Sequence, residues 1–136
     1  MIQNPSRDEI GNILKNAKKI AVVGLSENPE RTSYMVSKAM QDSGYEIIPV
    51  NPAVKEVLGV KAIGSLKELD EHVDIVNVFR RPEFVMDLAK DFLDIDADVF
   101  WTQLGVVDEE AFQLLQEKGR KVIMDRCIKV EHALTK

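Results

Sequence analysis

The chain has 136 residues, 45% hydrophobic and 30% charged, and its 18 Lys plus Arg against 23 Asp plus Glu leave a formal net charge of −5. That is the size and balance of one folded domain, residues 1–136, rather than of a disordered or membrane-embedded chain. Its acidity argues against a nucleic-acid binder working through a broad basic face. One cysteine and two histidines exclude a disulfide framework and leave little for a zinc cage of Cys and His, so no metal site is expected. No apolar stretch approaches the ~20 residues needed to cross a bilayer. The start, Met1-Ile2-Gln3-Asn4-Pro5, lacks the basic-then-apolar form of a secretion signal, and a cytoplasmic location is the expectation.

Ser6-Arg7-Asp8-Glu9 has the form of a capping box, and the helix it opens should reach about Ala17 with Ile10, Ile13 and Leu14 on one face. Lys19 to Gly24 is a short continuous apolar run ending in Gly, suited to a central parallel strand. Thr32 or Ser33 caps a second helix to about Ser43, with Met35, Val36, Ala39 and Met40 inward and Gly44 as its stop. Tyr45–Val50 reads as a second strand, broken by Asn51-Pro52. The segment from Ala53 to Leu69 is irregular, with Ser65 capping a turn or two of helix. Val73–Phe79 is a third strand, and Pro82 suits the first turn of a helix to about Leu93 that buries Phe84, Val85, Leu88, Ala89 and Phe92. A strand at Asp98–Thr102, a helix at Asp108–Lys118, a strand at Lys121–Met124 and a helix at Ile128–Leu134 complete the chain.

Strand and helix alternate without hairpin signals, the pattern of a parallel α/β sheet covered on both faces. Right-handed crossovers on five strands suggest a doubly wound sheet of order 3-2-1-4-5. Ligands of such sheets bind beyond the carboxyl ends of the strands. Of the six arginines, four (Arg31, Arg80, Arg81 and Arg126) fall in the segments that follow strands. Guanidinium groups suit phosphate oxygens, and the helix opening near Thr32 adds free N–H groups and a positive dipole end. The dinucleotide fingerprint is incomplete, because Ser26 and Pro29 stand where its second and third glycines belong. The second strand ends in Asn51 rather than an acid that could hold a ribose diol, and no P-loop occurs anywhere.

Val22-Val23-Gly24-Leu25-Ser26 with Pro29, Arg31 and Ser33 resembles the opening of the small stand-alone CoA-binding proteins. Their fold is also that of the CoA-binding domain in the alpha subunit of succinyl-CoA synthetase. The resemblance continues through Gly44-Tyr45, Pro49-Val50-Asn51-Pro52, Val78-Phe79-Arg80-Arg81-Pro82, Trp101 with Gln103-Leu104-Gly105, and Met124-Asp125-Arg126-Cys127. It implies a Rossmann-like domain that binds coenzyme A. By position, Gly24, Leu25, Ser26, Arg31 and Ser33 would hold the diphosphate, chiefly through backbone N–H groups. Asn51 and Pro52 would border the adenosine, and Lys55 would meet its 3′-phosphate, although the synthetase carries its lysine one residue nearer the proline. Phe79, Arg80 and Arg81 would flank the nucleotide, and Gln103, Leu104 and Gly105 would line the pantetheine path.

No catalytic set accompanies these residues. There is no G-x-S-x-G elbow. His72 falls before a strand, at the end of the sheet away from the expected pocket, and His132 on the last helix; both read as surface or capping residues. Asp94, Asp96 and Asp98 lack the Gly and closing Glu of a calcium loop and read as a solvated turn. Trp101 reads as core or pocket mouth, with stacking on adenine as the lesser alternative. Cys127 is either a small packed hydrophobe or a thiol of lowered pKa able to pair with the CoA thiol. The expectation is a binding module for CoA or a short acyl-CoA. The alternatives are a regulator responding to NAD or an adenine nucleotide, and an enzyme acting on acyl-CoA. A protein partner is not specified by the residues.

Overall fold

The computed structural model describes residues 2–136. Five parallel strands form the sheet: β1 (Lys19–Val23), β2 (Glu46–Val50), β5 (Val73–Val78), β6 (Ala97–Thr102) and β7 (Lys121–Ile123). Two further two-residue strands, β3 (Glu56–Val57) and β4 (Val60–Lys61), make a separate antiparallel hairpin. The helices are α1 (Arg7–Asn16), α2 (Thr32–Asp42), α3 (Val85–Leu93), α4 (Glu109–Glu117) and α5 (Ile128–Thr135).

The α/β class and the parallel five-stranded sheet agree with the sequence pattern; the strand order does not. It is β2-β1-β5-β6-β7, so the third long strand lies beside the first instead of beyond the second. In the expected order 3-2-1-4-5, β2 would be an interior strand, and Pro49 forbids that. The Pro49 carbonyl points away from β1 and accepts from Ile63 N–H at 3.0 Å, so its missing N–H also faces the outer edge. An edge strand tolerates the loss. β5, buried at five of six positions, instead takes the centre and pairs with β1 on one side and β6 on the other.

Each face of the sheet is covered. Ile20, Val22, Ile47, Ile75, Val99, Trp101 and Ile123 meet Ile10 and Leu14 of α1, Val36 and Met40 of α2, and Ile128 of α5. On the other face Ala21, Val23, Val76, Val78, Phe100 and Val122 meet Val85, Ala89 and Phe92 of α3 and Ala111, Phe112 and Leu115 of α4. Full burial of one such side chain contributes roughly 1.5–3 kcal/mol, which is why the strands read as continuous apolar runs. Ser6 caps α1 as expected, its Oγ accepting from Glu9 N–H at 3.2 Å.

Three local expectations are corrected. Met35 is half exposed, and Ser33 and Ser37 take inward positions on α2. Residues 33, 36, 37 and 40 share one face at helical spacing, whereas 35 is rotated off it. Pro82–Phe84 forms a 3-10 turn before α3, leaving Phe84 and Leu88 half-buried. The irregular stretch holds the β3–β4 hairpin, whose turn places Leu58 at φ 55° and Gly59 at φ 77°. Two left-handed residues suit a tight hairpin turn, but Leu is not a residue that announces one. Ser65 precedes a short 3-10 turn, Leu66–Glu68, without a capping side-chain bond.

Candidate functional site

The winding reverses between β1 and β5: the chain leaves β1 through α2 to reach β2 on one side, and leaves β5 through α3 to reach β6 on the other. The loops beyond these two strands therefore diverge and open a crevice at their carboxyl ends. Gly24 closes β1 at φ +85°, with its N–H on the Val50 carbonyl at 2.9 Å. A Cβ there would lie 2.6 Å from the Phe79 carbonyl oxygen, so only glycine lets the two strand ends lie this close. Phe79 N–H in turn donates to the Val23 carbonyl at 2.9 Å.

From Gly24 the loop builds itself by short-range bonds. Ser26 N–H donates to Ser33 Oγ at 3.0 Å, Asn28 N–H to Ser26 Oγ at 3.0 Å, and Glu30 N–H to Asn28 Oδ1 at 3.0 Å. Of the residues expected to meet a diphosphate, Gly24, Ser26 and Arg31 thus have their N–H groups engaged inside the protein, the last on the Asn28 carbonyl at 3.0 Å. Leu25 is fully buried, and its carbonyl accepts from Asn51 Nδ2 at 3.0 Å, which ties the β1 loop to the β2 loop. Asn51 Oδ1 also accepts from Ala53 N–H at 2.9 Å. The loop ends at Arg31, which, instead of the expected Thr32 or Ser33, occupies the N-cap position of α2, without a side-chain cap bond. The first turn of α2 holds no acid either. By contrast, Ser6 caps α1 ahead of Asp8 and Glu9, and Asp108 caps α4 ahead of Glu109 and Glu110. The positive end of α2 therefore meets neither a side-chain cap nor an acid of its own first turn.

A cavity of about 430 Å³ adjoins this crevice. Its wall combines Gly24, Asn51, Pro52, Phe79 and Arg80 with Leu88 and Asp91 of α3 and the stretch Gly64–Leu66. Arg80 reaches it half-buried, its guanidinium 4.1 Å from the Phe84 ring centre. The other three post-strand arginines are not in that wall. Arg31 is exposed; Arg81 pairs with Glu83 at 3.0 Å; Arg126 turns onto the neighbouring Asp125 carbonyl at 2.9 Å. Lys55 is exposed at the foot of the small hairpin, its carbonyl accepting from Ala62 N–H.

Beyond β6, Gln103 is buried and donates from Nε2 to Asn77 Oδ1 at 2.7 Å, while Leu104 is 72% exposed. Gly105, at φ +86°, donates its N–H to Asp125 Oδ1 at 2.7 Å. Asp125 itself sits at φ 61° and donates its N–H to Thr102 Oγ1. The Trp101 indole, fully buried, donates to the Arg126 carbonyl at 2.8 Å, so it braces the loop after β7 rather than stacking on a ligand. Cys127 is half-buried at the start of α5 against the α1–α2–α5 core. Asn77, Thr102 and Asp125 shape the site but were not among the expected site residues. A buried Asn inside an apolar strand was the available signal for the first. Leu88, Asp91 and Gly64–Leu66 carried none, because they do not follow a sheet strand.

The family model described as CoA binding domain matches residues 18–133. The chain is 66% identical over 135 residues to the uncharacterized protein YneT of Bacillus subtilis, covering 99% of this chain and all of that one. It is 38% identical over 71 residues, 52% of this chain, to the alpha subunit of ADP-forming acetate–CoA ligase II of Pyrococcus furiosus, of which the match spans only 16%. A solved Thermus thermophilus structure superposes with a TM-score of 0.92 at 36% identity, covering 97% of this chain and 100% of that one.

Proposed function

The chain belongs to the CoA-binding domain family, and we propose that it holds coenzyme A, free or carrying a short acyl group, beyond the carboxyl ends of β1, β2 and β5. In this reading it is a binding module with no chemistry of its own. The observation that carries the reading is the uncapped start of α2 beside Gly24, with Arg31 at its N-cap and no acid in its first turn. A diphosphate placed there meets free N–H groups, a positive helix end and a guanidinium together. The adjoining cavity has a volume in the range usual for small-molecule sites, and Arg80 in its wall supplies a second fixed positive charge. Asn51, both of whose amide atoms are engaged by the loops, offers no carboxylate for a ribose diol, which favours CoA over a nicotinamide dinucleotide. Gly105 and buried Gln103 border the path assigned to pantetheine.

Calorimetric titration of the full chain with CoA, acetyl-CoA, NAD and ATP tests this. CoA is expected to bind with a dissociation constant near micromolar, equivalent to about −8 kcal/mol. Arg31→Ala and Arg80→Ala should each weaken CoA at least fivefold, since a charge-assisted hydrogen bond contributes roughly 1.5–3 kcal/mol. Tighter binding of NAD or ATP than of CoA, or unchanged CoA affinity in both variants, overturns the reading. Thioester turnover by the purified chain would overturn the non-catalytic part alone.

A further inference from the structure

The opposite, amino edge of the sheet carries a second cavity, about 730 Å³, between α1 and the starts of β5, β6 and β7. Asp74 and Asp98 stand in its wall with Asn12, Asn16 and Lys121. β5 and β6 run parallel, with Val73 opposite Ala97 and Ile75 opposite Val99, so residues 72 and 74 lie beside 96 and 98. This register gathers an imidazole and three carboxylates that are separated by some 24 positions in the chain. His72 Nδ1 lies 2.8 Å from Asp96 Oδ1, the length of a charge-assisted hydrogen bond. Its Nε2 faces two further carboxylate oxygens at longer range, Asp98 Oδ2 at 3.2 Å and Asp74 Oδ1 at 3.4 Å.

Those longer separations fit a shared ion as well as a shared proton. One N–H divided between the two oxygens makes longer and weaker bonds than a strong N–H···O⁻ bond of about 2.7–2.9 Å. Nitrogen and oxygen donors bound to one ion at about 2.1 Å stand roughly 3.0–3.4 Å apart, the edge of an octahedron or tetrahedron. Both Nε2 separations fall in that interval, and the three ligand atoms lie within 4.8 Å of one another. Two of the three side chains are held by further bonds. Asp74 Oδ2 accepts from Lys18 and Lys19 N–H at 2.8 and 2.9 Å, leaving Oδ1 turned to His72. Asp96 on Nδ1 fixes the imidazole so that Nε2 is the ligating atom, as carboxylates behind metal-bound histidines do.

We propose that His72 Nε2, Asp74 Oδ1 and Asp98 Oδ2 bind a divalent first-row transition ion beside the 730 Å³ cavity, with Asp96 as the positioning residue. One imidazole with two carboxylates suits Zn²⁺, Mn²⁺ or Co²⁺ better than Ca²⁺, which takes oxygen ligands. The site is independent of CoA binding, since it lies at the other end of the strands.

The test is calorimetric titration of the chelator-treated full chain with Zn²⁺ and with Mn²⁺, on a Cys127→Ser background that removes the thiol. One ion is expected per chain. Its affinity should fall at least tenfold in His72→Gln and in Asp98→Asn, and about tenfold in Asp96→Asn through lost orientation. Asp98→Asn should leave CoA affinity unchanged. Repeating the titration in buffers of different ionisation enthalpy should show proton release on binding that disappears in His72→Gln. Absence of binding, or an affinity indifferent to both His72→Gln and Asp98→Asn, overturns the proposal and leaves His72 as an imidazolium shared by aspartates.

Discussion

A Cβ at position 24 would stand 2.6 Å from the Phe79 carbonyl and 3.2 Å from Arg80 Cδ, at a φ of +85°. The left-handed conformation alone costs a non-glycine residue about 1–2 kcal/mol, and the backbone collision adds to it. Gly24→Ala is therefore expected to lower the unfolding free energy by at least about 2 kcal/mol in urea denaturation. It should also lower CoA affinity beyond the effect of Arg80→Ala, because it displaces Arg80 and the start of the loop together. The pair Asn77 and Gln103 shows the same coupling of shape to site. Both are buried, and their 2.7 Å bond fixes a residue assigned to the pantetheine path from a neighbouring strand. An amide pair in an apolar sheet is retained at the cost of desolvation only if each polar atom finds a partner.

At the level of elements, α2 holds both a site and a weakness. Its inward face alternates serine with Val36 and Met40, and the two buried serines differ. Ser33 Oγ accepts from Ser26 N–H and so builds the loop, whereas Ser37 Oγ is buried with no hydrogen-bond partner among the described residues. An unsatisfied buried hydroxyl costs about 1–3 kcal/mol, and Ala is the better helix former. Ser37→Ala is expected to raise the unfolding free energy by about 1 kcal/mol or more and to leave CoA affinity unchanged. Ser33→Ala is expected to weaken CoA binding instead. How far α2 was legible follows from the same contrast. Its limits and its apolar inward residues Val36 and Met40 come from periodicity. The choice between Met35 and Ser37 for the inward face depends on how the helix is rotated, and a pattern read by hydrophobicity alone favours methionine.

Across the whole molecule, the N-terminal segment is fastened to the last strand. The Asn4 side chain donates from Nδ2 to the Met124 carbonyl at 2.8 Å and accepts from Met124 N–H at 2.9 Å, taking the place of a neighbouring strand just past the end of β7. Nearby, Arg7 at the start of α1 bonds both oxygens of Glu131 on α5, which is only 3% exposed. Asn4→Ala removes two hydrogen bonds and leaves a buried backbone amide to find another partner. It should cost about 1–3 kcal/mol of stability, read as a lower urea midpoint at unchanged slope. Amide exchange at Met124 should accelerate in the same variant.

Continuous apolar runs, separated by amphipathic helices, dictated that this would be a parallel α/β sheet with both faces covered. That follows from local chemistry, since a strand buried on two sides needs no polar alternation. The glycine, serine and arginine motifs likewise marked the strand ends where we propose a phosphate ligand. Strand order was decided by tertiary packing. Pro49 can serve only an outer edge, and β5 needs partners on both sides, so β5 passes over β1 to its far side. The sequence carried that proline but not the direction of its backbone. Tertiary structure also decided which arginine enters the cavity wall, and it brought His72 beside Asp74, Asp96 and Asp98, because register between parallel strands is set by the packing of helices that the strands do not encode.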